Sequence, residues 1–186
     1  MTRKKDLTKI KRLVALYNIL PNTIWSVLNL LPISVFCYSL INLKLFYTFL
    51  IISLLSIFLP QSCFNRIQLE KTPSFYKKTG VTFINRFTQN GDVINGLIRK
   101  KFPQYKVVST GRQSINKVLQ QTYMFEKFHF AMFLSFILIT IYAVKYDYLW
   151  WAFILSVNNV IYNVYPCILQ QYIRVRLQLS GKIKAT

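Results

Sequence analysis

The chain's single histidine, His129, stands three residues after Glu126. Positions i and i+3 of a helix share a face, so this spacing presents a carboxylate and an imidazole side by side. Such an imidazole can take a proton from a hydroxyl, with the carboxylate orienting the ring or holding the imidazolium. The same spacing also suits an interfacial Glu beside a snorkelling His, and spacing alone does not separate the two. A second pattern lies downstream: Asn159, Asn163, Pro166, Gln170 and Arg174 follow at intervals of four, three, four and four. That is one stripe of a helix. Polar side chains at membrane depth turn toward neighbouring helices, where they join helices or line a site. Tyr172, Arg174 and Arg176 extend the stripe into a place suited to an anionic headgroup, phosphate or carboxylate. Pro166 has no amide to donate, which predicts a kink and a freed backbone carbonyl.

The elements that must carry these residues are set by apolar run length. Of 186 residues, 53% are hydrophobic and 16% charged, against roughly 45–50% and 25% in an ordinary soluble domain. Between Leu13 and Leu59 the only basic residue is Lys44, and no acid occurs. A bilayer core needs roughly 20 apolar residues per helix, so this stretch predicts two crossings, Tyr17–Leu40 and Leu43–Leu59. It is too long for a signal h-region and lacks a small-x-small cleavage site. Two further crossings, Phe128–Val144 and Leu149–Gln170, are joined by the short link Lys145–Tyr148. Trp150, Trp151, Tyr146 and Tyr148 cluster there as an interfacial belt. The chain therefore reads as an all-α integral membrane protein of about four transmembrane helices. Its parts are a basic N-terminus (1–16), helices 1 and 2 (17–59), a basic interfacial segment (60–127), the second hairpin (128–170) and a basic tail (171–186).

Charge sets the orientation. The chain has 24 Lys and Arg against 5 Asp and Glu, a net of +19. Six basic residues lie in Met1–Arg12, twelve in Gln61–Lys127 and four in the tail; four crossings put these 22 on one side. Lys44 and Lys145 alone lie opposite. The positive-inside rule then predicts cytoplasmic termini in a plasma (inner) membrane, with anionic lipid headgroups beside the basic face. This placement, with no RNA- or DNA-binding motif in the middle segment, argues against nucleic acid as a partner. High hydrophobicity excludes a disordered basic tail. In the middle segment Phe75–Thr88 and Asp92–Phe102 read as short amphipathic helices lying in the interface, and Ser114–Phe125 reads as a helix running into the third crossing. Cys37, Cys63 and Cys167 are widely spaced and odd in number, which suits small apolar fillers; with one His, no metal-ligand set is evident.

The segment NVYPCILQQYIRVRL, with Asn163, Pro166, Gln170, Tyr172, Arg174 and Arg176, resembles the closing motif of the glycosyl-diaponeurosporenoate acyltransferase family. That motif is an Asn, then a Pro, then QRYNRxR. Glu126 and His129 match the family's E-x-x-H, and Leu69-Glu-Lys71 followed by Phe75-Tyr-Lys77 resembles its E-K-x-G-x-x-(Y/W). Gln171 departs from the usual Arg, Ile173 from the usual Asn, and Thr72-Pro73 replaces the glycine region. The resemblance implies acyl transfer from an activated fatty acid, such as acyl-CoA, to a hydroxyl of a glycosylated lipid or carotenoid. His129 would be the base, Glu126 would orient it, and Asn163 or Gln170 would stabilise the oxyanion. Asn159 and Tyr172 would contribute to the substrate site, and Arg174 and Arg176 would hold donor phosphates or a substrate carboxylate. A rival class is a non-enzymatic membrane subunit or lipid-binding scaffold, with a protein partner or second copy burying the stripe. A transporter is disfavoured, since four helices without an inverted repeat leave little room for a central pathway.

Overall fold

A computed structural model describes the backbone of residues 2–88, 91–105 and 112–183, with side chains for 8–88, 91–105 and 113–179. Basic residues 3–5, Lys106, Arg112, Lys182 and Lys184, counted above, lie outside the described side chains. Among the described residues the structure is helical, with no strand. Helix α1 runs from Thr2 to Leu40 and α2 from Leu43 to Leu55, closed by a 3₁₀ turn at Ser56–Phe58. Four short helices follow: α3 (Gln61–Arg66), α4 (Pro73–Lys78), α5 (Val81–Phe87) and α6 (Asp92–Lys101). Then come α7 (Arg112–Lys145), α8 (Leu149–Asn159), a π-helical turn (Val160–Val164) and α9 (Tyr165–Ile183).

Among the described residues three segments are long and apolar enough to cross a membrane: Thr8–Leu40, Gln113–Lys145 and Leu149–Leu179. The second expected crossing is shorter than its apolar run suggested, with 13 α-helical residues. Its end is local chemistry. The Ser53 and Ser56 hydroxyls donate to the carbonyls of Phe49 and Ser53 at 2.8 and 2.7 Å, and Pro60 holds Leu59 at ψ 135°, outside the α region. The basic segment before Tyr17 is no separate arm, because α1 continues through it. Phe75–Thr88 also divides: Gly80 adopts the left-handed φ of 78° between α4 and α5, a conformation that glycine takes without a Cβ penalty.

The helices α1, α2, α7 and α8 pack around Phe36, Phe136, Ile139, Ala143 and Leu155. In a bilayer no water is expelled between helices, so close packing over small residues such as Ala143 and Ala152 holds this half together. At the other end, Ile10 of α1 packs on Ile94 and Ile98 of α6. Tyr76 and Val81 pack on Leu169, Tyr172 and Val175 of α9. The three basic segments thus gather at one end of the bundle. The opposite end carries the α7–α8 link, where the Tyr142 hydroxyl donates to the Leu40 carbonyl at 3.0 Å.

Candidate functional site

Two polar constellations stand where α7 meets the helix formed by α8, the π turn and α9. The first surrounds Glu126. One carboxylate oxygen accepts from Arg174 Nη1 at 2.5 Å and the other from Gln171 Nε2 at 2.8 Å. Both members of the ion pair are enclosed, at 0% and 1% side-chain exposure. Arg174 Nε donates to Gln68 Oε1 at 3.2 Å, and its guanidinium lies 4.3 Å from the centroid of the Tyr123 ring, a cation–π contact. Gln171 Oε1 accepts from the Leu69 amide at 3.1 Å and lies 3.2 Å from the Tyr76 hydroxyl. That hydroxyl also donates to the Glu70 carbonyl at 2.8 Å and accepts from the Glu70 amide at 3.1 Å. The irregular stretch between α3 and α4 has no ladder of its own, so these side chains satisfy its backbone. Burial pushes the Tyr76 phenol up, which keeps its donor proton in place.

The second constellation is built on the π turn. The Tyr165 amide reaches back to the Val160 carbonyl, and Pro166 has no amide. The carbonyls of Ile161 and Tyr162 therefore lack their α-helical donors. His129 has the Tyr162 backbone and the Asn163 side chain as hydrogen-bonding neighbours. The His129 Nδ1 and the Asn163 Oδ1 are both buried with no hydrogen-bond partner among the described residues. Asn163 Nδ2 donates to Asn159 Oδ1 at 2.9 Å, and Asn159 Nδ2 donates to the Phe133 carbonyl at 3.2 Å. Two linked amides thus stand on one side of the imidazole.

The expected pairing of Glu126 with His129 is not made. Sharing a helix face allows contact, but a buried guanidinium from α9 engages the carboxylate more strongly than a neighbouring imidazole would. Asn163 and Asn159 take the orienting place instead. The stripe also breaks at Gln170. A π turn holds about one residue more than an α turn, so the helix beyond it advances by one position. Gln171, the departure from the family pattern, faces inward, and Gln170 is only half-buried. Arg174 is wholly enclosed, so its guanidinium does not stand at a surface where a phosphate would arrive.

Tyr172 is buried against Tyr76, with ring centroids 6.3 Å apart. Its hydroxyl accepts from Arg176 Nη1 at 3.5 Å. With Pro73, Lys77 and Leu179 these two residues line a cleft of about 340 Å³ at the basic end.

A model of the glycosyl-4,4'-diaponeurosporenoate acyltransferase family matches residues 60–181, well over half of the chain. The chain belongs to that family. No curated protein and no solved structure matches it. The acyltransferase-family match spans α3 to α9, including both constellations, and leaves α1 and α2 outside. Its three recognisable stretches meet in space, since Glu70 and Tyr76, Glu126, and Gln171 with Arg174 form one connected cluster. Sequence reading placed Tyr76 in a family stretch but missed Gln171, Gln68 and Tyr123 as members of the cluster. The one signal for Gln171 was its polarity inside an apolar helix; the others sit in segments where polar and aromatic residues are ordinary. Asn158 was also missed: its amide donates to the Asn29 carbonyl of α1 at 2.9 Å, near the turn that Pro32 opens.

Proposed function

We propose that the protein transfers a fatty acyl group from an activated donor, such as acyl-CoA, to a hydroxyl of a glycosylated lipid or carotenoid. The reaction takes place at the cytoplasmic face of the plasma membrane, with both termini cytoplasmic. The observation that carries this reading is the buried Nδ1 of His129, set beside Asn163 and the Tyr162 backbone at a proline-opened turn. Family membership supplies the reaction class. His129 Nε2 takes the acceptor hydroxyl's proton as its oxygen attacks the acyl carbonyl. The bond from that carbonyl carbon to the donor's leaving group breaks, and the leaving group receives the proton. Glu126 and Arg174 act as positioning residues that lock α9 to α7.

The cleft between Lys77 and Arg176 suits the donor's phosphates, replacing Arg174 in the role expected from the motif. The gathering of the basic segments at one end supports cytoplasmic termini. For a fourth traversal by α2, the supporting contact is Lys127 Nζ, which donates to the Ile57 carbonyl at 3.0 Å and brings the end of α2 back to the basic half of α7.

The test is lipid and pigment profiling by mass spectrometry of cells lacking the gene, complemented with wild type or His129→Ala. Removing a general base lowers turnover by about 10²–10⁴-fold, so the acylated product should return with wild type alone, at equal membrane levels of both proteins. Full activity of His129→Ala would remove the base assignment. No change in any acylated species would favour a non-enzymatic scaffold.

A further inference from the structure

A groove of about 600 Å³ runs along α1, walled by α5 and α6 and ending at the π turn. Its α1 wall extends from Leu16 to Leu28, about 18 Å at 1.5 Å per residue. One leaflet of a bilayer core is about 15 Å deep. The lining is almost wholly apolar, with Leu20 and Ile24 facing Val93 and Leu97. Arg86 is the lone charged group in it, and Lys101 Nζ sits 6.0 Å from the centroid of the groove residue Tyr17.

The groove is braced at its inner end. Trp25 Nε1 donates to the Phe87 carbonyl at 3.1 Å, tying α1 to the end of α5. The Trp25 and Tyr162 rings meet edge to face at 5.2 Å. Tyr162 belongs to both sites: its side chain closes the groove, and its backbone faces His129.

We propose that this groove holds the fatty acyl chain of the donor, with the activated carbonyl at the Tyr162 end. The inference rests on the acyl-transfer reading above. Two features choose this occupant over an ordinary bilayer lipid. The groove leads to Tyr162, whose backbone lies beside the candidate base. Its size lies within the roughly 300–1,000 Å³ of ligand pockets. Because the α1 wall lies outside residues 60–181, the N-terminal helix would set the chain length that the family-matched region transfers.

The experiment uses the full chain in nanodiscs of phosphatidylcholine. The probe is palmitoyl-CoA bearing a diazirine near its terminal methyl; phosphatidylcholine with the same acyl diazirine is the comparison. Expected is labelling within residues 16–28 and 93–97 from the CoA probe, reduced at least fivefold by excess palmitoyl-CoA and unaffected by added phospholipid. Leu20→Trp and Ile24→Trp should each reduce this labelling and shift the acyl product toward shorter chains. Both residues are 48% exposed or more, so a larger ring there displaces no core.

Equal, uncompeted labelling from both probes would assign the groove to bilayer lipid and overturn the proposal. So would ester formation with unchanged chain length in both variants and no label on α1. Competed labelling without any ester formed would uphold the groove while refuting acyl transfer, so the two readings fail separately.

Discussion

Replacing Glu126 with Gln keeps the shape of the side chain and removes the charge opposite Arg174. Arg174 is fully enclosed, and its Nη2 has no hydrogen-bond partner among the described residues, so bulk solvent does not reach the cation. Breaking a buried pair by neutralising one member costs about 3–5 kcal/mol. Arg174 would keep its bond to Gln68 and its seat over Tyr123, which places Glu126→Gln at the low end, about 3 kcal/mol. For a chain of this size that corresponds to a fall in melting temperature of about 6–12 °C. The double variant Glu126→Gln/Arg174→Met removes the stranded cation as well. It should regain about 2 kcal/mol relative to the sum of the single losses, because the two residues share one interaction. Thermal unfolding in detergent, followed by a thiol-reactive dye that reports exposure of buried Cys37, measures both quantities. Turnover should track stability across the set, since the pair holds α9 against α7 and does not touch the imidazole. A Glu126→Gln protein that melts within about 1 °C of wild type, or a double variant whose loss equals the sum, would refute the reasoning. Restored stability without restored turnover would return Glu126 to a role beside His129.

Two further predictions rest on separate parts of the site. Pro166→Ala supplies an amide to the π turn, so the helix should gain on the order of 1 kcal/mol, seen as a higher melting temperature. The Tyr162 carbonyl is then drawn from beside His129, and loss of that polar neighbour should lower kcat by up to about tenfold. Tyr76→Phe leaves the Glu70 amide and carbonyl short of a partner and should cost about 1–3 kcal/mol. Because burial raises the Tyr76 pKa above its ordinary 10.0, the unfolded chain loses this proton first as pH rises. The Tyr76 contribution is therefore complete below about pH 10 and declines above it; melting curves of wild type and Tyr76→Phe should converge there.

Much of the scaffold was legible in the chain itself because a bilayer imposes length and charge rules that need no partner residue. Continuous apolar runs marked α1, α7 and α8–α9, and Lys145–Tyr148 marked the tight link. The lopsided distribution of Lys and Arg marked the end where α3 to α6 gather. The motif around Asn163, Pro166 and Arg174 pointed to the family. Run length failed at α2, where two serine hydroxyls and Pro60 end the α-helix early while hydropathy stays high.

What tertiary structure decided was partnership. An i, i+3 spacing establishes that Glu126 and His129 share a face, but the strongest donor within reach comes from Arg174, 48 residues along the chain. Asn163, with Asn159 behind it, reaches the imidazole because the two helices are packed together. A regular 3.6-residue count placed Gln170 inward; one wide turn at Pro166 advanced the register and put Gln171 there. The groove beside His129 has one wall from α1 and another from α6, so no single stretch of sequence contains it. Periodicity and hydropathy are properties of one segment at a time. Ion pairs, amide relays and cavities depend on which segments meet, and the folded chain alone settles that.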